Sequence, residues 1–91
     1  MVFSQTRLRK LSMGNRIAYQ YSLTDVQDDS TSILRTPFKK ITGYLIEGTT
    51  TATTTIRVAS NNEGVPGSPA NLTLDAGTDN DEGQIMVWGL L

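Results

Sequence analysis

Apolar and polar residues alternate along several short segments of the chain, and this period of two predicts β-strands. Residues 17–23 are the clearest case, because every second side chain is apolar. Successive side chains of a strand point to opposite faces, so this segment is predicted to be a half-buried strand. Its apolar face consists of Ile17, Tyr19, Tyr21 and Leu23. No segment sustains the apolar period of an amphipathic helix.

The residues before this strand complete a predicted β-hairpin. Residues 4–11 form an extended, basic stretch, and residues 12–15 (Ser-Met-Gly-Asn) follow as a turn. Glycine and asparagine tolerate the positive φ angles that tight hairpin turns require. The hairpin is therefore predicted over residues 3–23.

Further strands are predicted over residues 32–38, 40–48, 52–60, 71–76 and 84–91. Pro37 ends the first of these or confines it to a sheet edge, because proline has no N–H for the ladder. The centre of the second, Tyr44-Leu45-Ile46, is apolar on both faces, which predicts a strand covered on both sides. In residues 71–76, Leu72, Leu74 and Ala76 are predicted to point inward.

The polar stretches between these strands are predicted loops. They cover residues 25–32, 61–69 and 75–83, the last of which is acidic.

Six of the seven residues in 49–55 are threonine. Threonine is β-branched and favours strands, and the run continues into Ile56 with one alternating pattern. Thr53 and Thr55 then lie on the outward face, where they are candidates for packing against a neighbouring subunit. An ice-binding array needs repeated threonine strands, and the sequence has no such repeat.

Six or seven short strands separated by turns predict an all-β fold, a small antiparallel β-sandwich or barrel. The 91 residues are expected to form a single domain, residues 1–91. Only 37% of the residues are apolar and 19% are charged, which fits a thin β domain completed by neighbouring subunits.

The composition excludes several kinds of chemistry. The chain has no cysteine and no histidine, so it cannot build a thiolate zinc site, a histidine-ligated metal site or a serine triad. Asp28 and Asp29 are adjacent carboxylates without the fixed separation that a glycosidase needs. We expect no enzyme activity and no cofactor. No signal peptide or membrane-spanning stretch is expected either.

Charge is divided unevenly along the chain. Residues 1–40 carry seven Lys or Arg and three acids, whereas residues 41–91 carry one Arg and six acids. Two interpretations are open. Copies of the chain pack with the basic edge of one against the acidic edge of the next, or the division is ordinary surface charge.

Within the basic half, Arg7, Arg9 and Lys10 are candidate partner contacts, and Arg7 and Arg9 are expected on one face of a strand. These cations have three possible roles: they protect the sheet edge by their charge, dock onto an acidic subunit, or bind phosphate. Nucleic-acid binding is disfavoured because no aromatic residues accompany these cations.

The acidic stretch from Asp75 to Glu82 also contains Asp79 and Asp81, and its oxygen ligands could hold calcium. Its spacing does not match an EF-hand loop, and a solvated acidic turn is the alternative.

At the carboxyl end, Met86 and Trp88 lie in a strand that is apolar on both faces. They either close the core or contact another chain.

The whole pattern resembles the small β-structured virion proteins of tailed phages, of the head decoration or cement type. The resemblance lies in the basic first strand leading to Gly14-Asn15-Arg16, in residues 40–48 leading into the threonine-rich strand, and in Glu82–Gly89 with its acidic-Gly turn. It implies a many-copy protein that binds the major capsid protein on the outside of the shell, often as a trimer, and a location in the virion.

A tail, neck or fibre-associated subunit is the first alternative function. A small carbohydrate- or nucleic-acid-binding β module is the second.

Overall fold

A computed structural model describes residues 3–14, 16–29, 31–48, 56–77 and 81–91. These residues form seven strands and no helix, which confirms the predicted all-β fold. The strands are β1 (Ser4–Met13), β2 (Arg16–Val26), β3 (Ser32–Arg35), β4 (Lys40–Gly48), β5 (Arg57–Asn62), β6 (Asn71–Asp75) and β7 (Asp81–Leu90).

The strands make two antiparallel sheets, which form a sandwich rather than one closed barrel. The larger sheet has the order β1-β2-β7-β4, and the smaller has the order β3-β6-β5. β1 and β2 form the predicted hairpin, with Met13 opposite Arg16 at its turn. The chain then passes repeatedly from one sheet to the other, so each sheet is stabilised by pairing between strands that are distant in sequence.

The core lies between the sheets and is filled by alternate residues of their facing strands. Its largest fully buried apolar side chains are Leu23, Val26, Leu34, Phe38, Leu72, Leu74, Ile85 and Val87. The inward positions predicted for residues 17–23 and 71–76 are confirmed, except that Ile17 is only half-buried.

The connection from β3 to β4 ties the two sheets together at one corner. The backbone N–H of Ala70 donates to the Phe38 carbonyl at 2.7 Å, and that of Lys39 donates to the Leu90 carbonyl at 2.7 Å. Since Ala70 leads into β6 and Leu90 ends β7, residues 38 and 39 hydrogen-bond to both layers. Thr36 is buried beside them, and its hydroxyl donates to the Ala70 carbonyl at 2.7 Å.

Several predicted boundaries differ from the structure. β2 runs to the buried Val26, with a bulge between Leu23 and Val26 and with Asp25 at a φ of 57°. Such a bulge lets the strand continue past Asp25, a polar residue for which the sequence predicts a loop. β3 ends at Arg35, before Pro37, and β5 runs to Asn62 instead of ending at residue 60.

The prediction that residues 40–48 are covered on both sides is wrong. β4 pairs only with β7 and lies at the edge of the larger sheet. Tyr44 and Leu45 are 41% and 53% exposed. An apolar run on both faces therefore marks an uncovered surface here and not a central strand.

Candidate functional site

The outward face of the larger sheet brings together Met86 and Trp88, two of the predicted contact residues. Both belong to β7, a central strand of the sheet, and their side chains are half-buried. Leu45 of β4 lies directly opposite Met86 and is more exposed than either. We call the side of the larger sheet that faces away from the core the outer face; its large apolar side chains include Leu11, Leu45, Met86 and Trp88.

Small residues on both sides of Trp88 let its indole lie flat on the sheet. Ala18 of β2 and Gly43 of β4 are its partners in the two neighbouring strands. Ala18 is fully buried, and a Cβ added at Gly43 would overlap the indole ring. The sequence therefore builds a shelf for one large aromatic side chain on the side of the sheet away from the core.

A hydrogen-bonded polar row borders the apolar part of the outer face. The Arg9 Nε donates to the Gln20 Oε1 at 2.6 Å, and the Gln20 Nε2 donates to the Gln84 Oε1 at 3.0 Å. Glu47 lies opposite Gln84 on the far edge strand. The two hydrogen bonds hold the Gln20 amide at both ends, and the polar residues extend from a cation on β1 to a carboxylate on β4.

Arg7 and Arg9 lie on opposite faces of β1, so the prediction that they share a face is wrong. Arg7 pairs with Tyr21, while Arg9 pairs with Gln20, because Leu8 is an extra residue between them. A bulge of one residue reverses the alternation of every side chain that follows it. Lys10 pairs with Tyr19 and so shares the inward face with Arg7.

The inward side of β1 borders a cleft of about 340 Å³. Its lining residues are Gln5, Arg7, Tyr21, Arg35, Thr36 and Pro37, and we call it the arginine cleft. The Gln5 side chain joins its two walls, since it accepts from the Arg35 N–H at 2.7 Å and donates to the Arg35 carbonyl at 2.8 Å. The guanidinium carbon of Arg7 lies 4.7 Å from the centroid of the Tyr19 ring, a cation–π distance.

Burial raises the pKa of the Tyr21 phenol above its ordinary value. The Arg7 charge offsets part of this increase, while Tyr19 adds to it. Tyr21 is 4% exposed, so its phenol is a neutral group in the wall of the cleft at neutral pH.

The acidic stretch is divided between two strands. Asp75 ends β6 and is buried, with its Oδ2 2.7 Å from the Arg57 Nη2 and its Oδ1 accepting from the Ala76 N–H at 3.0 Å. Both carboxylate oxygens are thus engaged within the fold, which removes Asp75 from the set of free calcium ligands. Asp81 begins β7, and Asp79 lies outside the described residues.

The remaining predicted sites have simpler outcomes. Asp29 accepts from the Thr31 hydroxyl at 2.6 Å, which closes a local turn. Thr53 and Thr55 lie outside the described residues. In the part of the chain that the structure describes, no three acidic residues are grouped as metal ligands would be.

A second, apolar recess of about 530 Å³ lies beside the corner where the sheets are joined. All three prolines of the chain, Pro37, Pro66 and Pro69, line it together with Phe38 and Val65. The Gly64 N–H donates to the Lys39 carbonyl at 2.8 Å, which fixes one loop of the recess against the other.

Sequence reasoning did not identify Leu45, Gln5 or Arg35 as site residues. The sequence predicts a covered strand around Leu45, and Gln5 meets Arg35 across a separation of 30 residues. The only sequence signal for Leu45 was the apolar run on both faces of its strand.

Comparison with known proteins finds no match for the chain. No protein-family model matches it, and neither a curated protein sequence nor a solved structure is significantly similar to it. Among the described residues, no helix is long and apolar enough to cross a membrane.

Proposed function

We propose that the protein is a structural component of a virion, and most specifically a decoration protein that binds the outside of an assembled phage head. The observation that carries the proposal is the outer face, where Leu45, Met86 and Trp88 meet on the side of the sheet away from the core. Exposed apolar residues that are contiguous and bordered by polar ones are typical of protein–protein contacts.

The size of the outer face is adequate for docking. Four strands spaced about 4.8 Å apart and about ten residues long present roughly 600 Å². A standard stable interface covers about 800 Å² on each partner. The face can therefore supply most of one contact, and an assembly with many such contacts needs only moderate affinity at each.

The edges of the sandwich favour docking through a face over addition of a strand. β1, β4 and β5 are edge strands, and each carries one extra residue that interrupts its ladder. At the edge of β3, the Gln5 side chain already occupies the backbone groups of Arg35. Bulges and covered edges are devices that prevent strand addition.

The choice of a capsid as the partner rests on the sequence resemblance to phage decoration proteins. A protein that binds only the assembled shell stabilises it by mass action, and many copies on one lattice add their effects. In this proposal the major capsid protein is the partner and the virion is the location. The proposed mechanism is mechanical clamping of shell subunits, with no chemical step.

Counting copies in purified particles tests this assignment. Quantitative mass spectrometry of virions should find the chain in numbers comparable to the major shell protein. A few copies per particle would contradict decoration and would favour the neck or tail alternative. Absence from particles would contradict both.

A further inference from the structure

We infer that the arginine cleft is a binding site for a carboxylate group on a partner protein, separate from the outer face. Its lining residues include two cations, Arg7 and Arg35, and no Asp or Glu. Neither arginine forms an ion pair with a carboxylate of the described residues, although Lys40 and Arg57 do. The cleft therefore has positive charge that no described carboxylate neutralises.

Arg7 is held in position before any ligand arrives. Its guanidinium carbon lies over the Tyr19 ring, 4.7 Å from the centroid, and the Tyr19 and Phe38 ring centroids are 5.5 Å apart, so the cation contacts the aromatic core. A guanidinium in a cation–π contact keeps its N–H groups as donors for an anion. Because the side chain is already ordered, binding an anion costs less conformational entropy than it would at a free surface arginine.

The backbone of the opposite wall is held by hydrogen bonds. Gln5 makes two hydrogen bonds to the Arg35 backbone, and Thr36 is bonded to the Ala70 carbonyl. The walls therefore cannot separate without breaking these bonds.

The size and charge pattern of the cleft favour a carboxylate over a nucleic-acid backbone. A volume of about 340 Å³ accommodates one or two side-chain groups. A phosphate backbone needs a continuous track of cations, and the bulge at Leu8 places Arg9 on the opposite face from Arg7 and Lys10. A carboxylate matches the forked geometry of a single guanidinium and can accept two parallel hydrogen bonds from it.

The experiment is a titration of the isotope-labelled full chain with a short oligoglutamate peptide, followed by NMR of backbone and arginine side-chain signals. We expect the largest shifts at Arg7, Tyr21 and Arg35, and Arg7→Gln should weaken binding by about tenfold or more. Arg7→Lys keeps the charge and loses the fork, so it should also weaken binding. Arg16→Gln is the matched control, since Arg16 is exposed at the start of β2 and does not line the cleft.

Three results would overturn the inference. An equal loss of affinity in Arg16→Gln would show attraction to net charge alone. Shifts confined to residues outside the cleft would place the site elsewhere. Tighter binding of an oligothymidylate of equal charge would assign the cleft to phosphate. The wild-type shifts do not depend on any variant folding, and none of these outcomes depends on binding to a virion.

Discussion

Gly43 is the residue on which the position of Trp88 depends most directly. The Cβ of an alanine at this position would overlap the indole, so Gly43→Ala should displace Trp88 from the sheet. Overpacking of this kind typically costs about 1–3 kcal/mol of unfolding free energy. Trp88 is the single tryptophan of the chain, so its fluorescence reports the displacement without a label.

The expected result is a red-shifted emission maximum and a lower denaturant midpoint for Gly43→Ala. Ser60→Ala, at an exposed position in the other sheet, should leave both unchanged. Emission identical to that of the wild type would contradict the proposed packing of Trp88.

Because of the Tyr21 phenol, the free energy of unfolding should decrease as the pH rises in the alkaline range. The pKa of this phenol is raised in the folded state. Its contribution to the free energy of unfolding is therefore fully present below the pKa of the unfolded state, about 10, and is lost as the pH rises through the pKa of the folded state. Tyr21→Phe removes this group and should lose less stability than the wild type between pH 8 and pH 11.

Urea unfolding at the two pH values measures the difference. Tyr44→Phe, which removes a hydroxyl from an exposed tyrosine, is the control. Parallel losses of stability in the wild type and Tyr21→Phe would show that burial of the Tyr21 phenol does not perturb its titration.

In β1, the single residue Leu8 determines which side chains lie on each face of the strand. Leu8 is an extra residue with no partner in β2, so deleting it should join Arg7 and Arg9 in a regular ladder without changing their partners. We expect the deletion to cost at most about 1 kcal/mol, because no paired residue is lost.

Deleting Thr6 is the matched control. It would move Gln5 to the opposite face and break its bonds to Arg35, so it should cost more stability than deletion of Leu8. Urea unfolding gives both free energies, and contacts between the backbones of Arg7 and Tyr21 can be followed by NMR. Loss of that contact after deletion of Leu8 would contradict the assigned register.

The strands could be predicted from the sequence because alternation is a local signal. The hairpin, the span of β4, and the inward faces of β2 and β6 follow directly from it. The faces of Arg7 and Arg9 could not be predicted, because nothing in the composition of residues 4–13 marks Leu8 as a bulge. The edge position of β4 also depends on pairing with β7, a strand about 40 residues away in sequence.

The candidate sites were predictable only in part for the same reason. Met86 and Trp88 were identifiable because they are large apolar residues within one strand. The arginine cleft combines residues of β1, β2 and the end of β3, so it exists only after the two sheets have packed.

The sandwich as a whole is thin, with extents of 35 × 27 × 17 Å. Two sheets about 10 Å apart account for most of the smallest dimension, so the outer face lies close to the core behind it.

The resemblance to decoration proteins implies association of the purified chain as a trimer. Sedimentation equilibrium should give three times the monomer mass of 9.9 kDa, whereas a monomer at all concentrations would contradict this expectation.

The most direct test of the proposed function measures binding of the purified chain to phage particles that lack this protein. The wild type is compared with a variant whose outer face is altered. Leu45 is 53% exposed, so Leu45→Glu should leave the fold intact while placing a charge beside Met86 in the apolar part of the proposed contact. Val65→Glu makes the same change at a residue that is 63% exposed on the proline-lined recess.

The account predicts that wild-type protein and Val65→Glu saturate the particles in cosedimentation, and that Leu45→Glu binds at least about tenfold more weakly, because a charge would be buried in an apolar contact. Undiminished binding of a folded Leu45→Glu variant would contradict the assignment of the outer face as the docking surface.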